Sequence, residues 1–228
     1  MWKRKDPWRT GFPARTSTSG QKTLADGVFA IVMALLVLEP AIPEIHDGTN
    51  WELTQALGAM WPKFIAYTLS FMIFGVFWLT NHFLFDNIAY YDSRLAWLNI
   101  LFLLFVALVP FTTSLLGEYL MEKTPTILYG VQLLIIFFMG FSIWSYTTSK
   151  QLTESDIDTS LSKAGKRMGY IYFLILIVAI IIAFFIPIVS IIIYGVFVLL
   201  FIIITAFGRA EYAVSLHIPE KPVKGIKM

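Results

Sequence analysis

The sequence predicts an all-α membrane protein with six transmembrane helices and both termini in the cytoplasm. Three observations predict it. Of the 228 residues, 57% are hydrophobic and only 14% are charged, whereas a soluble domain carries about a quarter charged residues. The apolar residues gather in runs of about 20, the length that crosses a bilayer as a helix. Of the 17 Lys and Arg residues, all but Lys63 and Lys123 fall on one side of the alternating spans, which the positive-inside rule assigns to the cytoplasm.

The first run spans about 24–43 and contains LADGVFAIVMALLVLEP. The second spans about 62–85, the third about 95–116 and the fourth about 126–147, each close to the length rule. From Met168 to Phe207 the chain is almost continuously apolar. That is too long for one perpendicular span, and Pro187 sits near its middle. Proline removes a backbone donor and ends or kinks a helix, so a hairpin is expected, with a fifth span to about 186 and a sixth over about 188–207. A single long tilted helix is the alternative. Between the first two spans, NWELTQALGAMW at 50–61 places Leu53, Leu57, Met60 and Trp61 on one helical face. Asn50 is a candidate cap, and Trp51 and Trp61 are candidate anchors at the outer membrane surface. Three parts follow: a basic cytoplasmic tail at 1–23, a six-span domain at 24–208 and a basic cytoplasmic tail at 209–228. A basic start before an apolar core also fits a signal peptide, but Asp26 precedes the core and EPAIPE is a poor cleavage context.

The composition excludes several chemistries. The chain has no cysteine and three dispersed histidines, His46, His82 and His217, so thiolate metal sites and cysteine nucleophiles are ruled out. The segment SGQKT at 19–23 lacks the glycine spacing of a phosphate loop and no strand precedes it. No set of catalytic groups assembles at one membrane depth, so an enzyme is not expected. The basic tail is explained by topology and anionic headgroups rather than by nucleic acid. No cofactor or bound metal is expected.

Polar groups at membrane depth are costly and face protein or water. Asp26, His82 and Asn99 lie toward the cytoplasmic ends of their spans and could meet. Asp26 could instead merely cap its helix. At about 100° per residue, Ile31, Leu35 and Leu38 share one stripe of the first helix, while Asp26, Ala30, Met33 and Val37 form another roughly 140° away. Spacing alone does not say whether the first stripe meets lipid, a neighbouring helix or a pore. Glu39 stands at the outer end, either at a mouth or simply solvated.

DGVFAIVMALLVLEP resembles the first helix of the transmembrane protein 175 family, potassium channels of endolysosomes and prokaryotes. YTLSFMIFGVFWLTNHFLF resembles the family's second helix, with Tyr67, Ser70, Phe71, Trp78 and His82 at matching spacing. LAWLNILFLLFVALVPFTTSLLGEY resembles the third, with Asn99 and the Pro110–Phe111 pair. The likeness is specific over 24–119. The family's first-helix signature, Arg-x-x-x-Phe-Ser-Asp, ends here on Asp26, with Gly20, Leu24 and Ala25 in the earlier places and Lys22 one turn before the acid.

The resemblance implies a prokaryotic, multi-pass cell-membrane protein assembled as a homotetramer, with the first helix lining a central pore. It implies potassium as permeant ion, no TVGYG filter, and a constriction of apolar rings at Ile31, Leu35 and Leu38. Ala34 takes a lining position that can hold a threonine in the family, and Glu39 would sit at the mouth. Asp26, His82 and Asn99 would form a polar network. The rival functions are a proton- or cation-coupled transporter using Asp26 and His82, and a non-conducting membrane scaffold. Membrane lipids are the other expected partners.

Overall fold

The computed structural model describes residues 18–44, 48–86, 88, 92–150 and 159–216, the side chains of 159–166 and 204–216 excepted. Among these residues the elements are helices: α1 Ser19–Leu36, α2 Asn50–Ala59, α3 Trp61–Asp86, α4 Ser93–Ala107, α5 Val109–Glu118, α6 Lys123–Ser149, α7 Thr159–Ala183 and α8 Pro187–Leu216. His46, and residues 1–17 and 217–228 of the basic tails with His217, lie outside the described residues.

Three stretches are long and apolar enough to cross a bilayer: α3, α4 continued by α5, and α6. The described apolar portions of α7 and α8, 167–183 and 187–203, are shorter. Among the described residues, apolar length alone thus marks three spans, and α7 and α8 are searched only in part. The long run after Met168 is divided by a turn at Phe184–Ile186, where Phe185 N–H and Ile186 N–H both donate to Ile182 O. Pro187 opens α8, a position where its missing N–H costs nothing. Ser190 Oγ donates to Ala179 O across the turn at 2.8 Å. The hairpin replaces the single long helix.

The first helix differs from its expected span at both ends. It starts at Ser19, and its regular bonds stop at Leu36. Leu38 N–H to Leu35 O and Glu39 N–H to Leu36 O continue as a tighter last turn. Pro40 and Pro43 cannot prolong the ladder and bias the residues before them toward extended backbone. Thr49, not Asn50, caps α2, its Oγ1 accepting from Glu52 N–H at 3.2 Å. The helix buries none of its own residues, and Trp51 and Trp61 stay exposed, as suits a helix lying on a membrane surface.

A break at Leu108 separates α4 from α5, because Pro110 has no N–H for Val106 O. Gln132 Nε2 of α6 donates to Phe105 O at 2.9 Å, satisfying a carbonyl beside the break. The core runs along α3 and α6. Helix α1 packs on α3, α4 and α5; α6 packs on α4, α5, α7 and α8. Phe29 of α1 enters between α3 and α4, its ring 5.7 Å from Phe74 and 6.1 Å from Phe102. A second aromatic cluster, Phe137, Tyr172, Phe197 and Phe201, fastens α7 and α8 to α6.

Packing is tight at Gly130, where a Cβ would stand 2.1 Å from Tyr194 Oη and 2.8 Å from Ile180 Cγ1. Tyr194 is fully buried and donates to Thr126 O at 3.3 Å, so it cannot swing aside freely. Gly130→Ala should cost about 1–3 kcal/mol by overpacking and lower the melting temperature in detergent. Adding Tyr194→Phe, which removes the clashing oxygen, should recover part of the loss. An unchanged melting temperature for Gly130→Ala would place α8 farther from α6 than the structure does.

Candidate functional site

The site is built on α1, which has two unlike apolar faces. Ala25, Phe29, Val32 and Leu36 recur at helical spacing and are buried against the subunit. The other face is uncovered: Ile31 is 62% exposed, Leu35 44% and Leu38 69%. Gly27, Ala30 and Ala34 are also exposed. The stripe of Asp26, Ala30, Met33 and Val37 is not the buried face. Its members Ala30 and Val37 are exposed, and only Asp26 and Met33 are partly covered. The burial face lies one residue earlier along the helix, because Phe29 is the side chain that fits between α3 and α4. Glu39 is half-buried in the turn after α1.

At the amino end of α1 a polar cluster forms with α3 and α4. Trp78 Nε1 donates to Asp26 Oδ1 at 2.9 Å, and His82 Nδ1 lies 3.3 Å from the same oxygen. The other imidazole nitrogen, Nε2, is 3.6 Å from Asp86 Oδ2. Lys22 Nζ closes the chain by pairing with Asp86 Oδ1. Trp78, His82 and Asp86 stand at successive i, i+4 positions, so one face of α3 presents all three to α1. One imidazole thus lies between two carboxylates, with a lysine balancing the second.

Asp26 and His82 come together as the sequence suggested, but Asp26 is half-exposed rather than buried in the single subunit, its side chain 40% accessible. Asn99 has a different partner. Fully buried on α4, it donates from Nδ2 to Gln21 Oε1 of α1 at 2.9 Å, and its Oδ1 accepts nothing among the described residues. Gln21, Trp78 and Asp86 are members that sequence reasoning missed. The i, i+4 spacing around His82 could have revealed Trp78 and Asp86, whereas nothing local marks Gln21.

A second polar group holds α3, α5 and α6 together. Thr113 Oγ1 donates to Ser70 Oγ at 2.7 Å, and Ser70 Oγ lies 2.9 Å from Tyr129 Oη. All three side chains are buried, so the group ties helices together and reaches no water. At the start of α4, Asp92 caps the helix through Leu95 N–H at 2.9 Å and accepts from Tyr146 Oη. Partial burial pushes the Asp92 carboxyl up, but the bonds from Tyr146 and Leu95 and the Arg94 charge together hold it below its usual value. Among the described residues no group of three or more His, Asp or Glu side chains is placed to hold a metal.

Asp26→Ala should leave Trp78 Nε1 and His82 without their acceptor, at about 1–3 kcal/mol, and lower the melting temperature of the purified protein. Asp26→Asn, which keeps an acceptor oxygen, should lose less. Equal melting of parent, Ala and Asn variants would show that these bonds hold nothing.

The geometry can be set beside known proteins. A family model described as the endosomal/lysosomal potassium channel TMEM175 matches residues 21–110, the segment that carries α1, α3, α4 and the polar cluster. A Streptomyces collinus protein named potassium channel B446_29190 is 35% identical over 150 residues, covering 64% of this chain and 72% of that protein. The mouse endosomal/lysosomal proton channel TMEM175 is 28% identical over 179 residues, which are 73% of this chain but 35% of the mouse protein. The crystal structure of a lysosomal potassium-selective channel TMEM175 homolog from Chamaesiphon minutus superposes with a TM-score of 0.73 at 26% identity, covering 82% of this chain and 96% of that one.

Proposed function

Because this chain belongs to the TMEM175 family of cation channels, we propose that it is a potassium-permeable channel of four subunits in a prokaryotic cell membrane, with α1 innermost. The family is one of channels, not of enzymes. The observation that carries the reading is the uncovered face of α1: Ile31, Ala34, Leu35 and Leu38 are exposed on a helix whose opposite face is fixed to α3, α4 and α5. One subunit offers one such helix, and enclosing a path along it takes several copies around an axis. A heterologous ring of four, with six spans in each subunit and both termini cytoplasmic, accounts for the apolar pattern and for the charge asymmetry.

In this arrangement the pore wall is apolar. Ile31 and Leu35 stand about 6 Å apart along the axis, and Leu38 follows in the tight turn beyond. Four isoleucines meeting at an axis leave a hydrated ion no room and offer no oxygen to replace its hydration shell. Such a ring gates by excluding water. Glu39 lies past the last ring, where four carboxylates would concentrate cations at the outer mouth. The polar cluster sits at the opposite, cytoplasmic end and ties α1 to the body of the subunit. Membership in a channel family favours conduction over the transporter and scaffold readings.

The chain has no native cysteine, so single-cysteine variants report without background. Oxidation of Leu38→Cys should link neighbouring chains in pairs, within a particle whose native mass is that of four chains. Leu174→Cys, exposed on α7, should not link. A two-chain particle, or linking at α7 alone, excludes the arrangement.

The barrier should depend on side-chain polarity at Ile31. In planar bilayers, Ile31→Asn should raise cation current and weaken discrimination of potassium from sodium, because the ring stays wet. Leu174→Asn should change neither. Parental current and selectivity in Ile31→Asn would move the pore to another face or another helix.

A further inference from the structure

A shallow groove lies between the cytoplasmic ends of α4 and α6, away from α1. Its volume is about 500 Å³, and Ser93, Arg94, Trp97, Leu98, Leu101 and Tyr146 line it. We infer that this groove binds a phospholipid of the cytoplasmic leaflet, with Arg94 on the phosphate and Trp97, Leu98 and Leu101 along the first carbons of the acyl chains.

The order of chemistry along α4 matches the order of chemistry in a lipid. Ser93 and Arg94 are polar and stand at the helix start, and Leu101 follows about 10 Å farther into the membrane. Trp97 lies between them and is 63% exposed, the level at which an indole spans headgroup and hydrocarbon. Arg94 is exposed and has no carboxylate within ion-pair distance among the described residues. The acid two residues earlier feels its charge but makes no ion pair with it among the described residues. Asp92 is engaged through both oxygens, Oδ1 with Leu95 N–H and Oδ2 with Tyr146 Oη. That leaves, among the described residues, a guanidinium with no ion pair beside an apolar groove open on one side.

A guanidinium fork suits a phosphodiester, which accepts two parallel hydrogen bonds. Negative lipids are enriched where basic residues meet the inner leaflet. Charge complementarity selects the occupant: a second copy of the chain seated here would have to bring an anion to membrane depth, where a lipid phosphate already is.

The full-length protein in mild detergent, titrated with phosphatidylglycerol and weighed by native mass spectrometry, tests this. The parent should retain one lipid per subunit at this site. Arg94→Gln should bind about tenfold more weakly, the scale of a charge-assisted hydrogen-bond pair. Arg94→Lys should fall between the two, and Lys63→Gln at the other membrane surface should match the parent. Equal retention by parent and Arg94→Gln would overturn the inference. So would an Arg94→Gln protein whose subunit number changes, since the groove would then be a contact between copies. Mass, not current, is measured, so the outcome is independent of whether the protein conducts.

Discussion

The seating of Phe29 between α3 and α4 is the contact on which the rest of the arrangement depends. A helix that is apolar all round has no intrinsic orientation in a membrane, because lipid accepts any of its faces. Phe29 breaks that indifference. Its ring meets Phe74 and Phe102, and Ala25, Val32 and Leu36 follow it into the subunit at helical spacing. Once that face is fixed, geometry puts Ile31, Leu35 and Leu38 on the side that the subunit does not cover. The pore reading depends on the packing of α1 as much as on the chemistry of the open face.

Apolar packing fixes rotation but resists sliding along the helix axis weakly. The polar cluster supplies the missing constraint. Asp26 accepts from Trp78, Lys22 pairs with Asp86, and Gln21 accepts from Asn99, so successive positions in the first turns of α1 are tied to α3 and α4. Hydrogen bonds are directional and short-ranged, and a shift of one residue along the axis would break all three. The proposed gate of apolar rings would need this register, since a displacement of about 1.5 Å per residue would carry each ring off its level.

Much of this was legible in the sequence, and what was not has physical causes. The turn before Pro187 could be read because proline acts locally. The meeting of Asp26 with His82 could be read because both are ionisable groups at one membrane depth, where few partners exist. The end of α1 at Leu36 was misplaced because apolar length was counted past Pro40, as if the helix had to match the bilayer. The inward face of α1 does not follow from Asp26. A carboxylate at a helix start can reach sideways to Trp78, so the large aromatic Phe29 was the better guide. Gln21 was invisible because its partner is 78 positions away and an amide leaves no pattern in charge or hydropathy.

The departures at the start of α1 bear on how the cluster works. Where the family signature has Phe-Ser before the acid, this chain has Leu24 and Ala25, and Ala25 is buried. A methyl group packs there without asking for a hydrogen-bond partner. Where the signature opens with arginine, Gly20 stands instead, and the positive charge is supplied by Lys22, two residues closer to Asp26. It does not pair with Asp26. It reaches Asp86 on α3, and His82 bridges the two acids. The charge has thus moved from the signature position to a helix-to-helix tie, and a neutral amide, Gln21, joins α1 to Asn99. A guanidinium can serve several acceptors at once through its planar fork, whereas an ammonium is a compact point charge. Two side chains in adjacent positions, Gln21 and Lys22, here divide the ties to α4 and α3 between them. Asn99 Oδ1, buried and without a donor among the described residues, marks where that division leaves one acceptor unserved.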